Sequence, residues 1–514
     1  MAVIVGVLLH LPDYIESRDM GYRMVGMGVS AEMAIGMLLV FVGVALTIYG
    51  LYPGTSHLSQ ASKIQVRALD DAPMKPAHVL LLLVMAAAVT IDVMKPTTLS
   101  FVVPGAALEY GLKSPLNPDA SVPVSLYPLA AIAGTVIGSF LWGWVGDVFG
   151  RRGAILMSGV LFMGTSTCGA MPEFWMNIIV CFIMGVAVGG MLPIAFTLMA
   201  ETIPARHRGW LMVLVGGDVA AAYIITSALS AWLVPEYSWR ILWLIGLPTG
   251  AMLIFLQRFI PESPRFLLAQ GREDEARQVM ERYGAAIVEA EDSDLINEQQ
   301  IRSSFSQLLR PPFVGPSFIL VFFGLGIGFV TFGFQLWIPS NLQALGFSEV
   351  SSTSILRDSA LIGFPATFVV AFLYGFWSSK KTMVLLAGLT VLALAGFIVA
   401  GDSVADNKTL LYALLILPIT GITSLQAVVI AYSSEVYPTK IRSRGTGLAA
   451  GATKAGGVLI IALVVAAIAA PSIAVTALIG AVPLGLATLA LAFFGIETRK
   501  RRLEEITAEE MAVT

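Results

Sequence analysis

Six ionisable side chains interrupt stretches of chain that are otherwise apolar: Asp92, Lys95, Asp218, Arg357, Asp358 and Lys454. A charge at the centre of a bilayer costs about 2.5–3.5 kcal/mol on insertion scales, so each is a candidate for meeting a charged solute, carrying a proton or locking helices together. Asp92 and Lys95 are three residues apart and share one face of a helix. Two readings stay open for them: an internal ion pair, or a pair of binding and coupling groups. Asp218 and Lys454 each follow a loop glycine, Gly209 and Gly445, by nine residues. At a rise of about 1.5 Å per residue that is roughly 13 Å into an apolar span. Lys454 at that depth needs a negative partner. Asp92 and Asp218 are the candidates within the chain, and the carboxylate or sulfonate of a solute could replace either one on binding. Polarity inside apolar runs adds Tyr223, Arg357, Asp358, Tyr374 and Gln426 as weaker candidates for lining a cavity.

These residues need long apolar elements to hold them, and the composition supplies little else. The 514 residues are 57% hydrophobic and only 13% charged, with a mean hydropathy of +0.82. A soluble domain is typically about 25% charged, so a large soluble enzyme, a disordered chain and a nucleic-acid binder are all excluded. The net charge of −3 points to no particular partner. Cys168 and Cys181 lie in apolar runs and imply no disulfide framework. The four histidines (His10, His57, His78 and His207) have no metal-ligand spacing. No phosphate-cradling glycine loop followed by Lys and Ser or Thr is present, so ATP is not the driver. No nucleophile elbow supports a membrane enzyme, and no cofactor is expected.

A membrane-crossing helix needs about 20 mostly apolar residues. Thirteen stretches qualify: 31–52, 78–103, 124–147, 153–171, 174–200, 210–234, 240–260, 313–338, 351–377, 382–401, 409–434, 445–470 and 471–495. The last twelve are core spans one to twelve. Residues 1–12 are apolar but too short to cross, and no cleavage site marks them as a signal peptide. The expected organisation is an extension over 1–76 with one span, a six-helix bundle over 77–261, a polar linker with amphipathic helices over 262–312, a second bundle over 313–497 and a tail over 498–514. Basic residues set the orientation. The loops after even-numbered core spans, with the tail, hold nineteen Lys and Arg, against three (Lys113, Arg240 and Lys408) on the other side. The richer side is read as cytoplasmic, with the carboxyl terminus inside and the amino terminus outside the inner membrane.

The halves repeat. Glu201-Thr-Ile-Pro-Ala-Arg-His-Arg208 and Glu435-Val-Tyr-Pro-Thr-Lys-Ile-Arg442 share the skeleton E-x-x-P-x-x-x-R, 234 residues apart. A fainter echo links Glu262-Ser-Pro-Arg265 with Glu497-Thr-Arg499. A duplicated unit of this kind places a solute site between its halves near the midplane. The repeated acid, proline and arginine read either as turns and topology signals or as a gate, in which the acid closes a span, proline ends the helix and the arginine pairs at the inner surface.

The loop Gly143-Trp-Val-Gly-Asp147-Val-Phe-Gly150-Arg151-Arg152 resembles the G-x-x-x-D-x-x-G-R-R/K loop of the major facilitator superfamily. Together with Pro261-Glu-Ser-Pro-Arg265 and Glu435 to Arg442, the chain over about 77–505 is similar to the branch that holds organic ion transporters, sugar porters and synaptic-vesicle-type proteins. The resemblance implies an all-α membrane protein: a twelve-helix major facilitator fold of two six-helix bundles, here with one extra amino-terminal transmembrane helix. It implies a gate role for Gly143, Asp147, Gly150, Arg151, Arg152, Glu201, Arg208, Glu262, Arg265, Glu435, Arg442 and Glu497, with Asp147 and Arg151 meeting the inner ends of spans four and eleven. Gln335, Trp337 and Pro339 resemble the family's cavity-facing W-x-P. Thr90-Ile-Asp-Val-Met-Lys-Pro96 resembles the D-G-x-D of aromatic-acid proton symporters, with Lys95 in place of the second acid. Lys454 matches the basic form of the span-eleven site in organic anion carriers. Two departures stand out: Cys181 occupies the place of the usual span-four arginine, and the second loop copy, from Gly375 to Lys381, lacks the aspartate.

The resulting expectation is a monomeric secondary transporter of a small organic anion, working by alternating access with proton coupling through Asp92. The rivals are an efflux carrier for cationic or amphipathic drugs using Asp92 and Asp218, and a non-transporting receptor or sensor on the same fold. The topology is directly testable. A cysteine introduced near position 20 is expected to label from outside intact cells, and labelling only from the cytoplasmic side overturns the assignment.

Overall fold

Backbone amides and carbonyls buried in lipid must be satisfied within the segment that carries them, and apolar runs of this length meet that demand as helices. The computed structural model describes residues 1–51, 64–65, 69, 72–113, 117, 119–217, 219–285, 288–289, 304–335, 338, 341–342, 345–347, 349–438, 440–466 and 472–499. Among them, eleven helices are long and apolar enough to cross a membrane, and Leu361–Phe376 is a shorter apolar one. Core span five is the pair Ala205–Gly216 and Val219–Tyr237. All thirteen expected spans therefore coincide with helix.

The chain forms two compact units. The first comprises Met1–His57, Leu83–Ala195 and Asp218–Pro261. Its amino-terminal residues form the short helices Ala2–Leu8 and Leu11–Glu16 and the long Ala31–Leu51. Val3 and Val7 pack with Val160 and Met163 of span three, and Val40 and Val44 close over them. Ala31–Leu51 leaves Leu38, Phe41 and Leu46 about 60% exposed, a surface suited to lipid.

At the end of this unit remote from the Asp147–Arg151 loop, one carboxylate gathers four segments. The Arg240 guanidinium lies 2.7 Å from Glu109 Oε1, with both side chains buried. The Trp239 indole donates to Glu109 Oε2 at 2.9 Å, and the Met24 amide donates to Oε1 at 2.8 Å. Arg240 also donates to the carbonyls of Met171 and Gly169. The Tyr14 hydroxyl donates to the Tyr237 carbonyl at 2.6 Å, fastening the amino-terminal segment to the same corner.

The second unit comprises Leu58–Leu82, Phe196–Gly217 and Glu262–Thr514. Val314–Phe329 packs on Arg442–Ala466 and Ile473–Phe494, while Ala205–Gly216 packs on Glu349–Phe376 and Ile422–Val436. The polar insert carries Pro264–Ala269, capped by the Ser263 hydroxyl, and Glu273–Arg282. The latter has three acidic residues in its first turn and Arg282 in its last, which suits the helix dipole, and it buries Ala276 and Met280. Ile64–Gln65 pairs antiparallel with Val288–Glu289, so the connector after the extra helix joins the insert. The His78 ring meets Tyr283 edge-on at 4.9 Å beside this pair. Burial pushes the Tyr283 phenol up to about 12.

Removing one partner of a buried ion pair strands the other charge, at a cost of about 3–5 kcal/mol. Glu109→Gln is therefore expected to lower the thermal inactivation midpoint of the purified protein sharply. Glu109→Leu combined with Arg240→Met should recover only the part due to the stranded charge, because the Trp239 indole, the Met24 amide and the Met171 and Gly169 carbonyls lose their partners. An unchanged midpoint in Glu109→Gln would show that the corner is not held by this pair.

Candidate functional site

In the first unit, core span one runs as the single helix Pro76–Glu109 with Pro96 and Pro104 inside it. Pro96 has no amide hydrogen, so the carbonyl of Asp92, four residues back, loses its helical donor. The hydroxyls of Thr97 and Thr98 donate to the carbonyls of Val93 and Met94 around this break. The break sits at the two charged residues of the span. Asp92 and Lys95 are both buried, 2% and 3% exposed.

The structure does not join them as an ion pair. Among the described residues, no carboxylate lies within salt-bridge distance of Lys95. Its ammonium stands 3.5 Å from the Ser166 hydroxyl, 4.9 Å from the Phe162 ring centre and 5.5 Å from that of Trp243. Cation–π attraction, about 2 kcal/mol at desolvated sites, stands where the ion-pair reading would put a carboxylate. Gly246 makes the space, because a Cβ there would collide with the lysine ammonium. Cys168 and Cys181 are electrostatic neighbours of the same ammonium. Phe162, Ser166 and Trp243 carried no sequence signal, because the cage is assembled from separate helices.

The loop at Gly143 to Arg152 is a helix-to-helix turn. Gly150 adopts φ +87°, a left-handed conformation that favours glycine, and it separates Leu126–Phe149 from Arg151–Gly164. Arg151 lies 3.6 Å from Asp147 and donates to the Gly146 carbonyl at 3.0 Å. Asp147 and Arg151 thus also approach each other within the loop.

In the second unit the two E-x-x-P-x-x-x-R copies cross-pair, each arginine taking the acid of the other copy. Arg442 donates to Glu201 Oε1 at 2.6 Å, and Arg208 donates to Glu435 Oε1 at 3.4 Å. All four side chains are buried. Glu435 Oε2 also accepts from the Tyr374 hydroxyl at 2.9 Å and from Thr498 at 2.6 Å. Tyr374, expected to line a cavity, instead belongs to this knot, since burial leaves its hydroxyl to the nearest carboxylate.

Just beyond span twelve, Glu497 accepts from the hydroxyls of Ser378 and Ser379 and from the amides of Ser379 and Arg499. Burial works against its charge, but these donors prevail and hold its carboxyl below the usual carboxylate range. The stabilisation they give is complete above that range and disappears as pH falls through the lowered value. Glu262 accepts from the Ser263 amide at 2.9 Å, and Arg265 is buried at the start of Pro264–Ala269.

The remaining candidates are scattered. The Gln335 amide donates to the carbonyls of Pro418 and Ile419, in the wide helical turn Leu417–Gly421. Gln426 donates to the Thr331 hydroxyl at 2.9 Å. Each amide nitrogen thus bonds to a neighbouring span. Lys454 and Asp358 are half-buried. Asp218, Trp337 and Pro339 lie outside the described residues, as do the side chains of Tyr223 and Arg357.

The family model "Major Facilitator Superfamily" matches residues 80–460. The chain belongs to this superfamily. Among curated relatives it is 26% identical over 401 residues to the niacin transporter NiaP of Acinetobacter baylyi, covering 76% of this chain and 88% of that protein. It is also 26% identical over 418 residues to the 4-hydroxybenzoate transporter PcaK of the same organism, covering 78% and 88%. Among solved structures, the proton:xylose symporter XylE superposes with a TM-score of 0.70 at 18% identity, covering 84% of this chain and 99% of that one. The human organic anion transporter MFSD10 superposes with a TM-score of 0.58 at 15% identity, covering 81% and 100%. The twelve-helix arrangement is the superfamily's, and the relatives fall in its sugar porter and organic ion branch. The protein is a multi-pass membrane transporter of small molecules, not an enzyme.

The cross-paired motif of this major facilitator protein makes a charge-swap cycle informative. Arg442→Glu and Glu201→Arg, each alone, should destabilise the protein by about 3–5 kcal/mol, because each buries two like charges. The double swap should recover more than half of the combined loss, read as thermal unfolding midpoints. Additive losses in the double variant would show that the two groups are not coupled.

Proposed function

We propose that this transporter moves a small organic anion by alternating access, with Lys454 meeting the negative charge and Asp92 carrying a coupled proton. The observation that carries the reading is Lys454. A half-buried ammonium on Arg442–Ala466 stands roughly 13 Å past Gly445 at about 1.5 Å per residue. Topology does not require a charge there, and an intramembrane lysine is costly enough to mark a functional group by default. The names of two relatives, niacin and 4-hydroxybenzoate transporters, support the same class of solute, since both compounds are aromatic carboxylates at neutral pH.

Asp92 suits the proton role because Lys95 is engaged elsewhere, by Phe162, Trp243 and Ser166. A proton on Asp92 would then change the charge of span one without disturbing an ion pair to Lys95. The protein would work as a monomer in the cytoplasmic membrane, with the nineteen-residue basic side inside.

Nicotinate and 4-hydroxybenzoate are the first probes. Lys454→Ala should weaken the better of them at least about tenfold, the scale of a lost charged hydrogen bond, while Lys454→Arg should keep binding. Asp92→Asn should still exchange solute across the membrane but lose accumulation driven by a pH gradient. Equal affinity in Lys454→Ala, or stabilisation of the wild type by organic cations alone, rejects the anion reading. Unchanged accumulation in Asp92→Asn rejects the coupling.

A further inference from the structure

The corner built around Glu109 borders an open cleft of about 650 Å³, within the first unit and within the size range of small-molecule sites. One wall is the end of span one, with Phe101 and Leu108. A second is the turn between spans five and six, with Glu236, Tyr237 and Trp239. The third is Arg18, Gly21, Tyr22 and Arg23 of the amino-terminal segment. The site therefore exists only because residues 1–30 are fastened here through Tyr14 and Met24.

The charges on the wall are unequal in what they can still do. Glu109 is neutralised by Arg240, and its remaining oxygen is taken by Trp239. Glu236 is exposed at the rim. Arg18 and Arg23 are exposed too, and among the described residues neither forms an ion pair. Two guanidiniums thus stand on a wall whose carboxylates are Glu109, already matched by Arg240, and the exposed Glu236, so the wall keeps one positive charge in excess for an oxyanion. Guanidinium binds carboxylates through paired, charge-assisted hydrogen bonds. The wall also carries aromatic side chains between small and aliphatic ones. Tyr22 stacks on Tyr14 at 4.9 Å and leans toward Tyr237 at 5.9 Å, and Trp239 and Phe101 complete the aromatic part of the lining. Flat aromatic faces favour a flat aromatic guest.

We infer that this cleft is a second binding site, separate from Lys454, for an amphipathic aromatic carboxylate. Arg18 and Arg23 hold the carboxylate, and Tyr22, Phe101 and Tyr237 hold the ring. The amino-terminal segment then serves as one side of a vestibule at the end of the first unit away from the basic loops. The inference goes beyond the transported-solute reading, and its test is independent of that reading.

The full-length Lys454→Ala protein in phosphatidylcholine nanodiscs is titrated calorimetrically with 2-naphthoate and with the neutral 2-naphthalenemethanol. Binding of the acid that persists in this background, is about tenfold weaker for the alcohol, and falls about tenfold or more in Arg18→Gln/Arg23→Gln is the expected result. A second measurement needs no change at Lys454. Val234→Cys places a thiol on the cleft wall, and Cys168 and Cys181 are buried. Its labelling by a charged thiol reagent should be slowed by 2-naphthoate, and not slowed once Arg18 and Arg23 are glutamine. Equal binding of acid and alcohol, or retention of binding and protection in the double glutamine variant, overturns the inference. Loss of both on replacing half the lipid with phosphatidylglycerol also overturns it, assigning the cleft to a lipid headgroup. Weak transport in Lys454→Ala with an intact vestibule leaves the two readings cleanly separated.

Discussion

An ionised side chain taken out of water loses several kcal/mol of hydration unless protein groups replace it. Three sets of the buried charges described above meet that demand, and their answers differ in kind. Glu109 and Arg240 pair and then use up their remaining capacity on an indole, a backbone amide and two carbonyls. Glu201, Arg208, Glu435 and Arg442 exchange partners in two crossed pairs. Lys95 meets ring faces and a hydroxyl. The first two solutions are rigid, because breaking either leaves a charge stranded. The third is softer: ring faces impose little direction, so the ammonium can shift without losing a matched acceptor.

The crossed pairs follow from duplication. One sequence skeleton, E-x-x-P-x-x-x-R, supplies an acid and an arginine at fixed spacing, so two copies facing each other are complementary without further change. The logic is that of a two-fold interface, in which residue i of one copy meets residue j of the other and the reverse also holds. The symmetry is imperfect where it matters. Only Glu435 gains Tyr374 and Thr498 as further donors. The segment after span twelve is thereby tied to the same carboxylate that Arg208 holds, and Glu497 beside it is tied to the start of Ser379–Ala400. The tail and the repeated motifs thus share one buried polar network.

The spans were legible in the sequence because lipid leaves the backbone one local solution, so length and hydropathy suffice. The turn at Gly150 was legible for a similar reason: few residues accept its φ. Partners were not legible. Glu109 and Arg240 are 131 residues apart, and nothing in the spacing joins them. The one available hint was Arg240 itself, an arginine on the side that holds only three basic residues. Asp92 and Lys95 misled in the opposite direction. Their spacing permits an ion pair, but the lysine reaches ring faces on other helices. Gln335 and Tyr374 show why polarity within a span is a weak guide. A buried amide or phenol must be satisfied somewhere, and here carbonyls at a helix distortion and the buried Glu435 carboxylate satisfy them.

The amino-terminal segment illustrates how one carboxylate can decide whether an added piece of chain folds. The helices Ala2–Leu8 and Leu11–Glu16 are seven and six residues long, too short to be stable alone. They gain order by burying Val3, Val7 and Tyr14 against span three and the corner near Leu244. The direction of the chain past Gly21 is then fixed by the Met24 amide, which donates to Glu109. That acceptor is well placed only while Arg240 and Trp239 hold the carboxylate still. Order in residues 1–30 therefore depends on the ion pair between spans one and six, and the cleft wall made by Arg18, Tyr22 and Arg23 depends on it in turn. A charge pair buried at the end of the first unit thus sets the shape of the surface that a solute arriving at that end would meet.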